Sequence, residues 1–248
     1  MWQQKFEKFL QSCQTAAAHP LAVYKLFENL ELNAFCELLC PECPAWTART
    51  EKKISLKGIN SRIVNLTDGN PFNHPEIAGL LVELKKQKRF VTLTTCGYNL
   101  ADLEKQLLLI DLVLLYVPAY SRERAIFQAG FNVLDRQTGA IEHLQEINKK
   151  FAVLYPIDSE TIEDLPDLYN KLNRPNSYLI LLYDRKNALP LQPVDKKYLH
   201  YYGARHNALV YEYQSGSQYN CLDFSRSLSN LSFYNLWTML KVFYKFYF

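Results

Sequence analysis

The chain has 248 residues, of which 48% are hydrophobic and 21% are charged, and its formal net charge is +3. This composition is typical of a globular protein and argues against disorder, and so small a charge argues against a nucleic-acid partner. No apolar run approaches the roughly 20 residues of a membrane span, and Trp2 to Ala18 contains too many Gln and Lys residues for the core of a signal peptide. Six cysteines in a chain of this length do not form a disulfide framework, so we expect a cytoplasmic protein in a reducing compartment.

The chain is predicted to open with an amphipathic helix and then to alternate between strands and helices. Apolar residues recur at helical spacing from Trp2 to Ala17, and the pattern changes after Pro20. Strands are predicted at residues 30–33, 62–66, 90–95, 111–117, 151–157 and 177–183. Helices are predicted at residues 75–86, 101–108, 132–149 and 161–172, with Asn99 as the cap of the second.

The alternation predicts an α/β fold built on a parallel sheet. Continuous apolar runs such as Leu112-Val113-Leu114-Leu115 are typical of strands that are covered on both faces. Six β/α alternations with short connections predict a six-stranded (β/α)6 partial TIM barrel. We expect an N-terminal helix over residues 1–20, the barrel core over 21–185, and an aromatic C-terminal extension over 186–248 that packs on the core.

Cys36, Cys40 and Cys43 directly follow the first predicted strand. Soft thiolates this close together in the chain can bind one metal centre, and three of them leave it one ligand short of a closed site. An unfilled position is what metal-dependent catalysis needs. The spacing alone leaves two alternatives open, a zinc site completed from elsewhere or small buried residues on a loop.

Two further turns follow the second and third predicted strands. They are Asp68-Gly69-Asn70-Pro71 and Thr95-Cys96-Gly97. Working residues of parallel α/β folds gather on the loops after the carboxyl ends of the strands, so we expect both turns to face the cysteine cluster. Gly69 would let a ligand approach the backbone and Pro71 would stiffen the turn, although this sequence also suits an ordinary β-turn.

Over about residues 30–183, the order of these motifs resembles that of the radical S-adenosylmethionine (radical SAM) enzymes. In that family, three cysteines at this spacing hold a 4Fe-4S cluster whose fourth iron takes the amino and carboxylate groups of S-adenosylmethionine. The second strand ends there in a Gly-Gly-Glu-Pro turn, which resembles Asp68-Gly69-Asn70-Pro71. His74-Pro75-Glu76-Ile77 is similar to the segment that follows in the peptide- and cofactor-maturing branch, and Thr95-Cys96-Gly97 stands where many members have Thr-Asn-Gly. His74 is expected to help form the turn.

The resemblance implies that Cys36, Cys40 and Cys43 ligate the cluster, and that Asp68, Gly69, Asn70, Pro71 and Thr95 line the S-adenosylmethionine site. The family's turn contacts the amino group of S-adenosylmethionine, and Asp68 would add a carboxylate to that contact. Three departures stand out. Asp68 replaces the first Gly and Asn70 replaces the Glu, while Glu42 replaces an aromatic residue for which Trp46 would compensate.

Cys96, Arg122 and Arg124 are further candidates. The two arginines follow the fourth strand, where a cation could meet the carboxylate of the cofactor, or they could simply begin a solvated helix. Cys96 faces the predicted mouth of the barrel and could donate a hydrogen atom or carry a substrate group, or it could be a buried thiol.

The first hypothesis is therefore an enzyme that reductively cleaves S-adenosylmethionine to a 5′-deoxyadenosyl radical, which abstracts hydrogen from a peptide or small-molecule substrate. It would need an electron donor such as flavodoxin or ferredoxin. Because Cys221 is the only cysteine in the extension, we expect no domain for auxiliary clusters. The second hypothesis, motivated by Glu42 and the altered turn, is a degenerate radical-SAM-like or zinc-binding scaffold. An electron-transfer protein is a third.

Overall fold

A parallel sheet forms the centre of the structure, a computed structural model that describes residues 27–32, 34–38, 54–98, 100–184, 191–192, 195, 197–199 and 208–213. Its strands are β1 (Phe27–Glu31), β2 (Ile63–Thr67), β3 (Phe90–Thr95), β4 (Leu112–Tyr116), β5 (Phe151–Pro156), β6 (Ser177–Asp184) and β7 (Ala208–Tyr213). The spatial order follows the chain order, and each strand pairs in parallel with the next. This progression in one direction is that of a barrel wall, and it brings the carboxyl ends of all the strands to one edge.

Helices occupy the crossovers between β2 and β6. They are α1 (Ile77–Lys86), α2 (Glu104–Leu108), α3 (Arg122–Ala129), α4 (Leu134–Glu146) and α5 (Leu165–Lys171). Single turns of 3-10 helix lie at Pro71–Asn73, Leu100–Leu103 and Thr161–Asp164. In the described part of the chain, no helix is both long and apolar enough to cross a membrane.

The predicted α/β fold with six parallel strands is confirmed, and β7 extends the sheet by one further strand. β7 lies within the predicted extension, so part of that segment belongs to the sheet. β1 begins three residues earlier than predicted because its pairing with β2, and not an apolar run of its own, defines it. The predicted N-terminal helix and the cap at Asn99 lie outside the described residues.

The two faces of the sheet differ in what they bury. The outer face packs its apolar side chains on the helices in one core, which includes Val64, Leu66, Leu93, Leu115 and Val153 together with Leu81, Leu84, Ile141, Leu144 and Leu168. We call the opposite side the inner face. Its buried members are Ile63, Asn65, Thr67, Thr92, Thr94, Leu112, Leu114, Ala152, Leu154, Ile180 and Leu182. The buried part of the inner face is thus mainly polar on β2 and β3 and apolar from β4 to β6.

Asn65 organises the polar half of the inner face. Its Oδ1 accepts hydrogen bonds from Thr92 Oγ1 at 2.9 Å and Thr94 Oγ1 at 3.2 Å, and its Nδ2 donates to Asn29 Oδ1 at 3.1 Å. Asn65 and Thr92 are both fully buried. A buried donor that loses its acceptor costs about 1–3 kcal/mol, so these strands depend on a satisfied polar ladder.

We expect Asn65→Ala to lower the free energy of unfolding by about 1–3 kcal/mol, because two buried hydroxyls lose the oxygen that they share. Denaturant titration of the variant against wild type measures the change. Asn60→Ala, at an exposed asparagine in the loop before β2, is the matched control and should stay within about 0.5 kcal/mol. Equal stabilities for the two variants would contradict the structural role of the ladder.

Candidate functional site

The loop after β1 lies directly on the turn after β2. Backbone hydrogen bonds run from Leu32 N to Thr67 O at 2.9 Å, from Ala34 N to Asp68 O at 3.2 Å, and from Asn70 N to Phe35 O at 3.3 Å. Strand pairing is therefore prolonged beyond the sheet into the loop that carries Cys36. This contact fixes the height of the cysteine above the sheet edge.

The turn at Asp68 and Gly69 has a backbone that allows this close approach. Both residues are left-handed, with φ of 75° at Asp68 and 72° at Gly69. Asp tolerates this region better than most residues, whereas Gly adopts it freely. A Cβ atom on Gly69 would lie 1.7 Å from the carbonyl oxygen of Ala34, so a glycine is required there.

Glu37 connects the cysteine loop to the two turns through side chains. Its carboxylate accepts hydrogen bonds from Asn70 Nδ2, at 2.9 and 3.3 Å, and from Asn73 Nδ2, at 2.9 Å. Thr95 Oγ1 at the end of β3 in turn donates to Asn70 Oδ1 at 3.0 Å. The carboxyl ends of β1, β2 and β3 are thus joined by one chain of polar contacts that holds a carboxylate in place.

Cys36 and Cys96 lie beside this carboxylate, and neither forms a disulfide. Their sulfur atoms and a carboxylate oxygen of Glu37 all lie within 4.8 Å of one another, and Cys96 Sγ is 3.8 Å from Glu37 Oε2. The hydrogen bond with Cys36, then burial, then the charges of Cys36 and Glu37 raise the pKa of the Cys96 thiol. Cys96 is therefore protonated near neutral pH unless a cation replaces its proton.

The turn that carries Cys96 is closely packed. Gly97 has φ of 84°, and a Cβ atom there would lie 2.6 Å from Leu115 Cδ1. Its N–H donates to Thr95 Oγ1 at 3.1 Å, and Gln137 Nε2 donates to Tyr116 O at 3.0 Å beneath it. The position of the Cys96 thiol is consequently set by the core.

Most of the predicted site residues come together. Cys36, Asp68, Gly69, Asn70 and Thr95 lie on the joined loops at this edge, Pro71 begins the adjoining 3-10 turn, and Cys96 contacts Glu37. His74 helps to form the turn as predicted, because its Nδ1 accepts from Glu76 N at 3.2 Å. Cys40, Cys43, Glu42 and Trp46 lie outside the described residues.

The two arginine candidates lie on α3. Arg124 forms ion pairs with Asp164 at 3.1 Å and with Glu163 at 3.7 Å, and Asp164 also accepts from Tyr155 Oη at 2.8 Å. These contacts tie α3 to the turn before α5, which gives Arg124 a structural role. Arg122 is exposed at the start of the helix.

Two residues of the site were missed by the sequence analysis, Glu37 and Asn73. Glu37 follows the first cysteine directly, and Asn73 stands three residues after Asn70, so both lie close in the chain to motifs that the sequence had already indicated. Two features of the sequence could have indicated Glu37. It is a carboxylate next to the first cysteine, and the turn after β2 has Asn70 where the Gly-Gly-Glu-Pro turn of the family has its Glu. Only the fold reveals that this carboxylate lies on the amides of Asn70 and Asn73.

Comparison with solved structures supports the same fold. The chain is similar to Streptococcus suis SuiB bound to S-adenosylmethionine, with a TM-score of 0.60 and 14% identity over 82% of this chain and 56% of SuiB. The complex of SuiB with its precursor peptide SuiA gives a TM-score of 0.59 and 14% identity over 86% of this chain and 53% of SuiB. His-tagged anSMEcpe with bound AdoMet gives 0.54 and 16% identity over 86% of this chain and 80% of that protein.

The predicted resemblance to radical SAM enzymes is confirmed at the level of the fold. The chain spans little more than half the length of SuiB. No protein-family model and no curated protein sequence matches it.

The residues at the sheet edge fit an iron–sulfur centre. Cys36 supplies a half-buried soft ligand, and it lies above a turn whose glycine leaves no side chain in the way. Thiolates are the ligands that hold 4Fe-4S clusters in proteins. Cys40 and Cys43 follow Cys36 closely enough in the chain to reach the same centre.

Proposed function

We propose that the protein is a radical SAM enzyme. The observation that carries this proposal is the docking of the loop before Cys36 on the Asp68–Asn70 turn, at the carboxyl edge of a sheet whose fold is similar to that of SuiB and anSMEcpe. Parallel α/β proteins place their active sites at this edge. The position of the motif within the fold thus supports what its spacing alone left open.

In this proposal Cys36, Cys40 and Cys43 hold a 4Fe-4S cluster, and one iron remains for S-adenosylmethionine. When bound, the cluster supplies the electron that cleaves S-adenosylmethionine into methionine and a 5′-deoxyadenosyl radical. An external reductant such as flavodoxin or ferredoxin would provide this electron. The protein's own contribution is to hold and orient the cofactor and to keep water out.

Glu37 would supply the carboxylate that the family's turn provides through its Glu, at the position where this chain has Asn70. The family's turn contacts the amino group of S-adenosylmethionine, and here the amides of Asn70 and Asn73 hold the Glu37 carboxylate at that turn. Hydrogen bonds from carboxylates to charged donors are stronger than those between neutral groups, and the oxygens of a carboxylate can accept several hydrogen bonds at once. Glu37 would therefore orient the amino group, and Thr95 would do so indirectly by holding Asn70.

The inner face would shield the radical. From β4 to β6 its buried side chains are apolar, among them Leu114, Leu154 and Ile180, and the partly buried Tyr116 and Tyr178 lie on the same face. A reactive intermediate needs a cavity without water, which such a wall provides. The polar half at Asn65 and Thr92 would lie on the side of β1 to β3, beneath the cofactor.

We propose a peptide substrate, with a small molecule as the alternative. The peptide is supported by the fold shared with SuiB, which has been solved with its precursor peptide SuiA. Finding a precursor peptide encoded beside the gene would favour the peptide over the small molecule.

The composition of the chain, with six cysteines and no disulfide framework, supports a reducing, cytoplasmic location.

The decisive experiment is the anaerobic assay for 5′-deoxyadenosine. Protein reconstituted with iron and sulfide is reduced with dithionite in the presence of S-adenosylmethionine, and 5′-deoxyadenosine is followed by chromatography and mass spectrometry. We expect product only when both the reductant and the cluster are present. An intact, reducible cluster that never yields 5′-deoxyadenosine would overturn the proposal. A protein that holds zinc and takes up no cluster on reconstitution, even after the zinc has been removed, would favour the scaffold instead.

A further inference from the structure

We propose that Cys36, Glu37 and Cys96 form a binding site for a single divalent ion of the zinc class, which is available when the 4Fe-4S cluster is absent. The site rests on the geometry of these three side chains. Its consequence for the enzyme rests on the proposed function, because Cys36 is also a proposed cluster ligand. Among the three cysteines of the motif, only Cys36 takes part in the new site.

The distances match one tetrahedral ion. With metal–sulfur bonds of about 2.3 Å and metal–oxygen bonds of about 2.0 Å, the sulfur–sulfur edge is about 3.8 Å and the sulfur–oxygen edge is about 3.5 Å. The three ligand atoms lie within 4.8 Å of one another, and Cys96 Sγ is 3.8 Å from Glu37 Oε2. Small rotations of the side chains would therefore complete three corners of the tetrahedron, leaving the fourth to a water molecule.

The arrangement suits a single ion better than a shared cluster. In a 4Fe-4S cluster each thiolate binds a different iron, so its ligand sulfurs stand farther apart than two ligands of one ion. The sulfur atoms of Cys36 and Cys96 instead lie within 4.8 Å of each other. Their separation indicates a pair that can share one ion.

The site is also organised in advance. Asn70 and Asn73 hold both carboxylate oxygens of Glu37, as outer-shell groups do around metal ligands. Packing of Gly97 against Leu115 fixes the turn that carries Cys96. Two thiolates and one carboxylate select a borderline-soft ion such as Zn²⁺ over Mg²⁺ or Ca²⁺.

Because Cys36 would be a ligand of both, the single divalent ion and the 4Fe-4S cluster cannot be bound at the same time. An ion held by Cys36, Glu37 and Cys96 removes one of the three ligands that the cluster requires. Zinc bound first would therefore delay loading of the cluster, and Cys96 would control this competition without being a cluster ligand itself.

A variant that cannot hold the cluster tests the site directly. Metal-free Cys40→Ala/Cys43→Ala protein is titrated anaerobically with Co²⁺, which reports thiolate ligands through its near-ultraviolet charge-transfer absorption. We expect about one Co²⁺ per chain with thiolate absorption, and full displacement by Zn²⁺. Circular dichroism checks that the variant retains the wild-type fold.

Further substitutions in that background identify the ligands. Cys36→Ala, Cys96→Ala and Glu37→Gln should each weaken Co²⁺ binding by about tenfold or more, and the first two should also reduce the thiolate absorption. Cys221→Ala is the matched control and should change neither. The proposal is wrong if the folded parent shows no thiolate absorption, or if Cys96→Ala leaves it unchanged.

A second measurement serves if the double variant does not fold. Wild type and Cys96→Ser are each incubated with one equivalent of Zn²⁺ before iron and sulfide are added, and the bound iron is measured. We expect zinc to reduce cluster loading in wild type and to have much less effect in Cys96→Ser. Equal inhibition of both would overturn the metal site, whereas failure of the proposed enzyme activity would appear separately, as a loaded cluster without 5′-deoxyadenosine.

Discussion

Gly69→Ala is expected to separate the cysteine loop from the turn after β2. The added Cβ would lie 1.7 Å from the carbonyl oxygen of Ala34, so the backbone of one of the two segments must move. The left-handed φ of 72° adds about 1–2 kcal/mol of strain for any residue with a Cβ. We therefore expect the free energy of unfolding to fall by more than about 2 kcal/mol and S-adenosylmethionine affinity to fall by at least about tenfold.

Gly79→Ala provides the matched control for that substitution. Gly79 lies in α1, and a Cβ there would meet nothing within 4 Å. Replacing a helical glycine with alanine stabilises by about 0.5–1 kcal/mol, so the same chemical change should have the opposite sign. Denaturant titration and calorimetry with S-adenosylmethionine on both variants make the comparison. A Gly69→Ala protein that matches Gly79→Ala in stability and affinity would exclude the close contact at Ala34.

The sheet edge could be predicted from the sequence because its causes are local. Apolar runs such as the one at Leu112 mark buried parallel strands, and parallel strands necessarily bring their carboxyl ends together. The positions of Cys36, of the Asp68 turn and of Thr95 followed from that rule alone. The need for glycine at position 69 was also foreseeable, although the atom that requires it, the oxygen of Ala34, was not.

Other features depend on contacts between distant parts of the chain. β7 (Ala208–Tyr213) joins the sheet by pairing with β6. Its alternation of apolar and polar residues is weak, and it lies in a segment rich in tyrosine, so the sequence does not mark it as a strand. Arg124 pairs with Asp164, which lies 40 residues further along the chain, and no periodicity in the sequence predicts this ion pair. The bonds from Asn70 and Asn73 to Glu37 likewise exist only because β1 and β2 are neighbours.

Asn70 stands where the turn of the radical SAM family has Glu, and the contacts of Asn70 change how this replacement is interpreted. From the sequence, an Asn in place of the Glu of the turn suggests a degenerate site. In the fold, the Asn70 amide bridges Thr95 to the Glu37 carboxylate, so a negative charge remains at the turn but is carried by the neighbouring loop. The replacement at Asn70 therefore does not remove the carboxylate from this edge of the sheet, and by itself it is no sign of a degenerate site.

Glu37→Gln is therefore expected to weaken S-adenosylmethionine binding by about 10- to 100-fold, as befits a hydrogen bond to a charged group worth about 1.5–3 kcal/mol. The substitution removes the charge, and it also sets an amide donor against the amides of Asn70 and Asn73, which now donate to the carboxylate. Calorimetry with cluster-loaded protein measures the affinity. Iron content and the electron paramagnetic resonance signal of the reduced cluster should stay close to wild type, since Glu37 is not a proposed cluster ligand.

Two companion variants separate orientation of the cofactor from general damage to the turn. Glu76→Gln removes an exposed carboxylate a few residues away and should leave the affinity unchanged. Asn73→Ala removes one of the two amides that hold Glu37 and should cause a smaller loss than Glu37→Gln, because the bonds from Asn70 remain. If Glu37→Gln binds S-adenosylmethionine as tightly as Glu76→Gln while its cluster is intact, the carboxylate does not orient the cofactor, and its alignment would then serve only the divalent-ion site with Cys36 and Cys96.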